Sequence, residues 1–161
     1  MISNLKSKKV IKISIVAILL LILIYSQLRL YISGERIYES IPVSSIVHVT
    51  VHKEILRDRI TTEKRELTDT ELEMFYSQLK LSQFKKAAKT EYIPFQSKAG
   101  YHVTFLGNDN KLICSLSFTG DEIMFVYFPN SKDPWTTYHI RSTSLDDFLE
   151  SITKDLPLSD S

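Results

Sequence analysis

The feature that most constrains this chain is an uncharged apolar run near its N-terminus. Sixteen residues without a charge, ISIVAILLLILIYSQL, lie between Lys12 and Arg29. A helix needs about 20 apolar residues to cross a hydrocarbon core of ~30 Å. Lys12 and Arg29 can extend the run, because their alkyl stems lie in lipid while their charges reach the interface. The sequence therefore predicts a transmembrane anchor over residues 10–31.

The charges that flank this run predict its orientation. Four lysines and no acid precede it, whereas two arginines follow it closely. Positive charge is retained on the cytoplasmic side of a membrane. We therefore predict a single-pass protein of the cell membrane, with the lipid bilayer as the partner of residues 10–31. Residues 1–9 would be a cytoplasmic basic tail, and the C-terminal domain would be extracytoplasmic.

Two alternatives to an anchor are a cleaved secretory signal and a buried helix of a soluble domain. Signal cleavage requires small residues at positions −3 and −1. The small residues that follow Ile24 are Ser26, Ser33 and Gly34, and each has a large residue at the corresponding −3 position. The flank is therefore a poor match to a cleavage site, which favours an uncleaved anchor.

The remainder of the chain has the length of one compact domain. Residues 29–161 contain 16 basic and 19 acidic residues, and therefore carry a net charge of −3. A mildly acidic domain argues against a nucleic-acid partner, which would require a basic patch. Cys114 is the only cysteine, so no intrachain disulfide can form.

We predict three segments after the anchor. Residues 32–42 would form a stalk, because Gly34 and Pro42 discourage helix. Residues 43–155 would form an extracytoplasmic α+β domain, and residues 156–161 a flexible tail. The domain begins with a strand in which valines alternate with polar residues. Its inward face would carry Val47, Val49 and Val51, and its polar face His48, Thr50 and His52.

Residues 59–67 predict a second strand, paired with the first in a hairpin. The clearest local signal follows it. Thr68 and Glu71 form a capping box, and Leu67 and Leu72 form a hydrophobic staple. An apolar stripe then predicts a helix over residues 69–80. The stripe comprises Leu72, Phe75, Tyr76 and Leu79.

The second half of the domain is predicted to be a β-meander that ends in a helix. Residues 81–98 are ambiguous, with one possible short strand near residues 84–89. Alternation and turn residues predict four strands, at residues 101–106, 111–118, 122–128 and 135–141. Ser144 would cap the last helix, whose apolar stripe is Leu145, Phe148, Leu149 and Ile152. The expected order is anchor, then ββ-α-ββββ-α, with a mainly antiparallel sheet and helices on one face.

The histidines are the only candidates for metal ligation. His48 and His52 would lie about 13 Å apart along one strand, too far to share an ion. His48, His102 and His139 could converge on zinc if their strands were neighbours. The simpler interpretation is that they are solvated histidines on the polar face. The sequence predicts no catalytic residue and no cofactor, because Cys114 lies in an apolar strand and no G-x-S-x-G motif or phosphate-binding glycine loop occurs.

Two features carry a resemblance to known proteins. One is the pair Lys8-Lys9 before the Ile13–Ile24 run, and the other is the segment Leu67-Thr68-Asp69-Thr70-Glu71. The chain is similar to small uncharacterised membrane-anchored or secreted extracytoplasmic proteins of low-GC Gram-positive bacteria. Those combine a lysine-flanked helix, a hairpin, a capped helix and a meander. The resemblance implies no activity and no functional residues.

The candidates for partner binding are the polar-face residues His48, Thr50 and His52, together with Trp135. The tryptophan follows a proline-containing loop, and an exposed tryptophan is a common anchor for a partner. Core packing of Trp135 is the alternative. We therefore expect a non-enzymatic binding or accessory domain for an envelope protein or a cell-wall component. A histidine-dependent metal-binding protein or hydrolase, and a membrane-anchored immunity protein, are the alternatives.

Overall fold

The computed structural model describes residues 14–24, 31–55, 60–87, 100–119, 122–141 and 144–159. The chain folds as two units, Met1–Tyr31 and Ile32–Ser161. In the first unit, residues 14–24 are helical (α1). The predicted cytoplasmic tail, residues 1–9, lies outside the described residues.

The described residues do not include the predicted transmembrane helix. The eleven described residues of α1 rise about 16 Å, roughly half of the ~30 Å that a span requires. Tyr31, the last residue of the predicted span, already belongs to a β-strand. No described helix is both long enough and apolar enough to cross a membrane. The prediction of a transmembrane helix is therefore wrong for the described part of residues 10–31; residues 10–13 and 25–30 are not described.

The described part of the second unit combines one sheet with three helices. The helices are α2 (Gly34–Ser40), α3 (Asp69–Leu81) and α4 (Ser144–Thr153). The strands are β1 (Tyr31–Ser33), β2 (His48–Ile55), β3 (Ile60–Thr61), β4 (Arg65–Glu66), β5 (Gln83–Lys86), β6 (Gly100–Leu106), β7 (Leu112–Thr119), β8 (Ile123–Tyr127) and β9 (Trp135–Arg141). Short 3-10 turns lie at Val43–Ser45 and Asn108–Asn110.

The strands lie in the order β1-β5-β9-β8-β7-β6-β2-β3, and β4 also pairs with β2. The pairs β2–β6, β6–β7, β7–β8, β8–β9 and β5–β9 are all antiparallel. The fold is therefore α+β with a mainly antiparallel sheet. Strands β7 and β8 occupy the middle of this order, so the predicted meander forms the centre of the sheet.

The predicted order ββ-α-ββββ-α is wrong because it omits β1, α2 and β5 and merges β3 with β4. Residues 32–42, predicted to be a stalk, instead form part of β1 and all of α2. The side chains of Ile37 and Ile41 are buried in the core. Gly34 is the first residue of α2. A Cβ at this position would lie 1.7 Å from the carbonyl oxygen of Leu79, so a larger residue does not fit. This glycine therefore permits close packing of α2 on α3 rather than ending the helix.

Helix α3 confirms the predicted capping box. The Thr68 side chain accepts a hydrogen bond from the Glu71 amide, and the Glu71 carboxylate accepts one from the Thr68 amide. Phe75 and Leu79 of its stripe are fully buried. Strand β2 follows the prediction in part. Val49 and Val51 are buried, but Val47, which lies before β2, is 52% exposed.

The end of the chain is hydrogen-bonded to the domain. The Glu63 amide donates to Pro157 O at 2.8 Å, and the Ser159 amide donates to Thr61 O at 2.8 Å. Residues 157–159 of the predicted flexible tail therefore lie against the β3 region. Residues 160 and 161 are outside the described part of the chain.

Candidate binding face of the sheet

The helices of the second unit lie on one face of the sheet. The core on that face joins buried residues of all three helices to the inward residues of the strands, among them Ile37, Phe75, Leu79, Leu145, Leu149, Val49, Val51, Val103, Leu116 and Val126. We call the opposite face the outer face; no described helix of this unit covers it. Alternate residues of a strand point to opposite faces. The outer face therefore includes His48, Thr50, His52, Glu54, His102, Thr104, Ser115, Ser117, Phe125, Tyr127, Trp135, Thr137 and His139.

Five of these residues form one continuous row across the sheet. Thr50 pairs with Thr104, which pairs with Ser115, which pairs with Tyr127, which pairs with Trp135. We call them the aromatic–hydroxyl row. It crosses four strand spacings, about 19 Å at ~4.8 Å each. The row carries no charged side chain, and it brings the predicted candidates Thr50 and Trp135 onto the same line.

Trp135 is a surface residue. Its side chain is 60% exposed, and its ring lies against that of Tyr127 with centroids 4.4 Å apart and planes inclined by 35°. The alternative that Trp135 packs in the core is therefore wrong. A tilted aromatic pair of this kind offers a large apolar area together with a phenolic hydroxyl and an indole N–H, which can both hydrogen-bond to a partner.

Beside this row lies a stacked pair of histidines. His52 and His102 are directly opposed on β2 and β6, and their rings stack with centroids 4.7 Å apart and planes at 15°. The His102 Nε2 lies 3.0 Å from the Glu54 carboxylate, and the His102 Nδ1 lies 2.8 Å from the Ser117 hydroxyl. Both ring nitrogens of His102 are therefore occupied by neighbours from β2 and β7.

His52 is held in its neutral form. Burial, followed by the charges of His102 and Lys64, lowers its pKa from 6.5 to about 4, against a smaller opposing effect of Glu54. Its Nδ1 atom is buried and has no hydrogen-bond partner in the described part of the chain. The pair therefore consists of a neutral His52 imidazole stacked on the ring of His102, which hydrogen bonds hold in place.

His48 lies at the edge of the outer face. Strand β4 places the Glu66 carboxylate against the His48 Nδ1, and the two side chains form an ion pair when the imidazole is protonated. The side chain of His48 is 46% exposed. A partner of the outer face could contact His48 directly, although this histidine lies outside the aromatic–hydroxyl row.

The three histidines considered for zinc do not converge. His102 is directly opposite His52 in the sheet. His48 lies four residues from His52 along β2, which places it about 13 Å from His102 in the strand direction. His139 lies on β9, three strands from β6, which is about 14 Å across the sheet. Zinc–nitrogen bonds are about 2 Å long. In the described part of the chain, no group of three or more His, Cys, Asp or Glu residues could hold a metal ion.

Cys114 is a core residue. Its side chain is fully buried, and burial raises its pKa to about 12. A thiol with that pKa does not form the thiolate that nucleophilic chemistry requires. The prediction that this residue is structural is consistent with its position on β7.

Comparison with family models, curated proteins and solved structures finds no match for this chain. The similarity to extracytoplasmic proteins of Gram-positive bacteria therefore stays a prediction. The functional argument depends on the geometry of the outer face.

Sequence alone does not identify Thr104, Ser115 and Tyr127 as site residues, although they complete the row. Alternation within each strand indicates the polar face for Thr104 and Ser115. It does not indicate which strands are neighbours or in which register they pair. The stacking of His52 on His102 also depends on strand order and register, because 49 residues lie between these two histidines in the sequence.

Proposed function

We propose that the second unit is a non-enzymatic binding module and that its outer face contacts the partner. The aromatic–hydroxyl row is the observation that carries this proposal. The exposed Trp135, packed against the half-buried Tyr127, supplies the type of aromatic anchor that dominates binding energy at interfaces. Three hydroxyls beside it supply directional hydrogen bonds without a charge that must be desolvated.

The partner class is an envelope protein or a cell-wall component. This class follows from the predicted location at a cell membrane, with the second unit extracytoplasmic. That location stays a prediction and rests on the lysine-flanked apolar run at residues 13–28. The outer face would select the partner within that class.

The histidines support binding better than hydrolysis. A general base must accept a proton near neutral pH and must reach its substrate. The pKa of His52 is lowered to about 4, and both ring nitrogens of His102 are engaged by Glu54 and Ser117. This arrangement stabilises the surface but offers no poised base within the stacked pair.

The test compares binding of the full chain, its Trp135→Ala variant and a matched control to purified cell walls and to membrane fractions. Leu81→Ala is the control, because Leu81 is 78% exposed and lies on α3, away from the outer face. We expect Trp135→Ala to weaken binding at least tenfold, about 1.4 kcal/mol, and Leu81→Ala to have no effect. Equal binding by all three proteins, or no binding to either fraction, would refute the proposal.

A further inference from the structure

A cavity of about 460 Å³ opens at the end of the sheet where β6 leads into β7. Three segments line it: the turn after α2, the turn between β6 and β7, and the loop between β8 and β9. Its lining residues are Ser40, Pro42, Ser45, Lys111, Leu112, Ile113, Phe128, Asn130 and Ser131. Its volume lies in the range of about 300–1,000 Å³ that is typical of small-molecule sites.

Hydrogen bonds and close packing fix the walls of this cavity. A Cβ at Gly107 would lie 2.9 Å from the Ile113 side chain and 3.0 Å from Ser45 O, so the first two segments meet there without space. In the third segment, the Ser131 amide donates to Phe128 O at 3.1 Å, and the Phe128 amide donates to Pro134 O at 2.9 Å. The cavity is therefore formed before any ligand binds, which lowers the ordering cost of binding.

The lining combines an apolar surface with a single charge. Leu112, Ile113 and Phe128 supply apolar surface, and serine and asparagine side chains supply neutral hydrogen-bonding groups. Among the described residues that line the cavity, Lys111 is the only charged one. No carboxylate of the described residues forms a salt bridge with Lys111, in contrast to Lys53 and Arg65, which are both paired with glutamates. The Lys111 ammonium is therefore available to an anion.

We propose that this cavity binds a small organic carboxylate with an unbranched or lightly branched apolar body. The apolar body would lie against Leu112, Ile113 and Phe128, and the carboxylate would accept charge-assisted hydrogen bonds from the Lys111 ammonium. One monovalent anion matches one cation. A phosphate carries more charge, and the described lining residues include no arginine and no second lysine to match it.

Octanoate, octan-1-ol and inorganic phosphate are suitable probes for the full chain. Titration followed by amide chemical shifts reports binding at Leu112 and Ile113. We expect octanoate to shift these amides saturably with a Kd of about 1 mM or below, and the two other probes to bind at least tenfold more weakly. No saturable shift with octanoate, or equal affinity for octan-1-ol, would overturn the proposal, and tighter binding of phosphate would assign the site to a different anion.

Lys111→Gln tests the role of the cation. The matched control is Lys154→Gln, because Lys154 is also an exposed lysine but does not line the cavity. We expect Lys111→Gln to weaken octanoate binding about tenfold and to leave octan-1-ol binding unchanged, whereas Lys154→Gln should change neither. An unchanged octanoate affinity in Lys111→Gln would contradict the proposal. Both substitutions are at exposed positions, and equal thermal unfolding temperatures would show that each variant is folded.

Discussion

Replacement of His52 by glutamine should make the folded protein more resistant to acid. In the folded state, burial and the neighbouring charges of His102 and Lys64 lower the pKa of His52 from 6.5 to about 4. The unfolded chain binds a proton at this residue below about pH 6.5, whereas the folded protein does not until about pH 4. The free energy of unfolding therefore falls as the pH decreases through this window. Glutamine removes the titration.

The size of the effect follows from the two pKa values. Between about pH 7.5 and about pH 5, linkage gives a loss of about 2 kcal/mol for one group with these values. Asp146 acts in the opposite direction, because burial and the charges of Asp147 and Glu122 raise its pKa from 3.8 to about 6. The folded protein therefore binds this proton first, which adds roughly 1 kcal/mol of stability over the same interval. The wild-type protein alone would show a small net change.

Urea denaturation of the wild type, His52→Gln and Asp146→Asn at both pH values separates the two contributions. We expect the difference in unfolding free energy between His52→Gln and the wild type to shift by about 2 kcal/mol in favour of the variant on acidification. Asp146→Asn should instead lose stability more steeply than the wild type. A difference between His52→Gln and the wild type that is the same at both pH values would show that the stacked pair does not disfavour protonation of His52.

Three further predictions concern contacts that hold the domain together. Gly34→Ala should destabilise the protein by at least about 2 kcal/mol, because the new Cβ would meet the carbonyl oxygen of Leu79; an unchanged midpoint of urea unfolding would disprove the close approach. Arg65→Gln should cost about 1–2 kcal/mol, because it removes two hydrogen bonds to the Glu71 carboxylate, at 2.8 and 3.0 Å; the same urea assay would contradict this if stability were retained. Cys114 should react with iodoacetamide only after urea unfolds the protein, and rapid alkylation of the native protein, followed by mass, would count against its burial.

Local signals predict several elements of this fold. The Thr68–Glu71 capping box begins α3, and the helix ends at Leu81, one residue beyond the predicted end. The predicted strand at residues 135–141 coincides with β9. Such features depend on neighbouring residues in the sequence, which is why one sequence is sufficient to find them.

Features that depend on distant packing are not predictable in this way. Gly34 is compatible with both a helix end and a close contact, and only the position of Leu79 distinguishes the two. The span of residues 10–31 follows from apolar composition, whereas the structure describes helix there over residues 14–24 and places Tyr31 in β1. The sequence at the start of β9 does not determine whether Trp135 is buried or exposed. Its exposure results from the side of β9 on which it lies.

The candidate site likewise has one part that follows from local sequence and another that depends on distant packing. The alternation in β2 predicts that His48, Thr50 and His52 share a polar face, and the structure places all three on the outer face. The continuation of that face to Trp135 requires the order of five strands and their registers, which no local pattern encodes. For the same reason, the hypothesis that His48, His102 and His139 share a metal ion could not be evaluated from the spacing of the residues.

Photocrosslinking in cells tests the central claim most directly, namely that the outer face contacts the partner. A photoreactive benzoylphenylalanine in place of Thr104 lies within the aromatic–hydroxyl row, as its second residue from Thr50, and the same group in place of Leu81 lies on α3. We predict a discrete crosslinked product from position 104 that is lost when Trp135→Ala is added, and none from position 81. Crosslinking from position 81 alone, or a product at position 104 that persists without Trp135, would contradict the account.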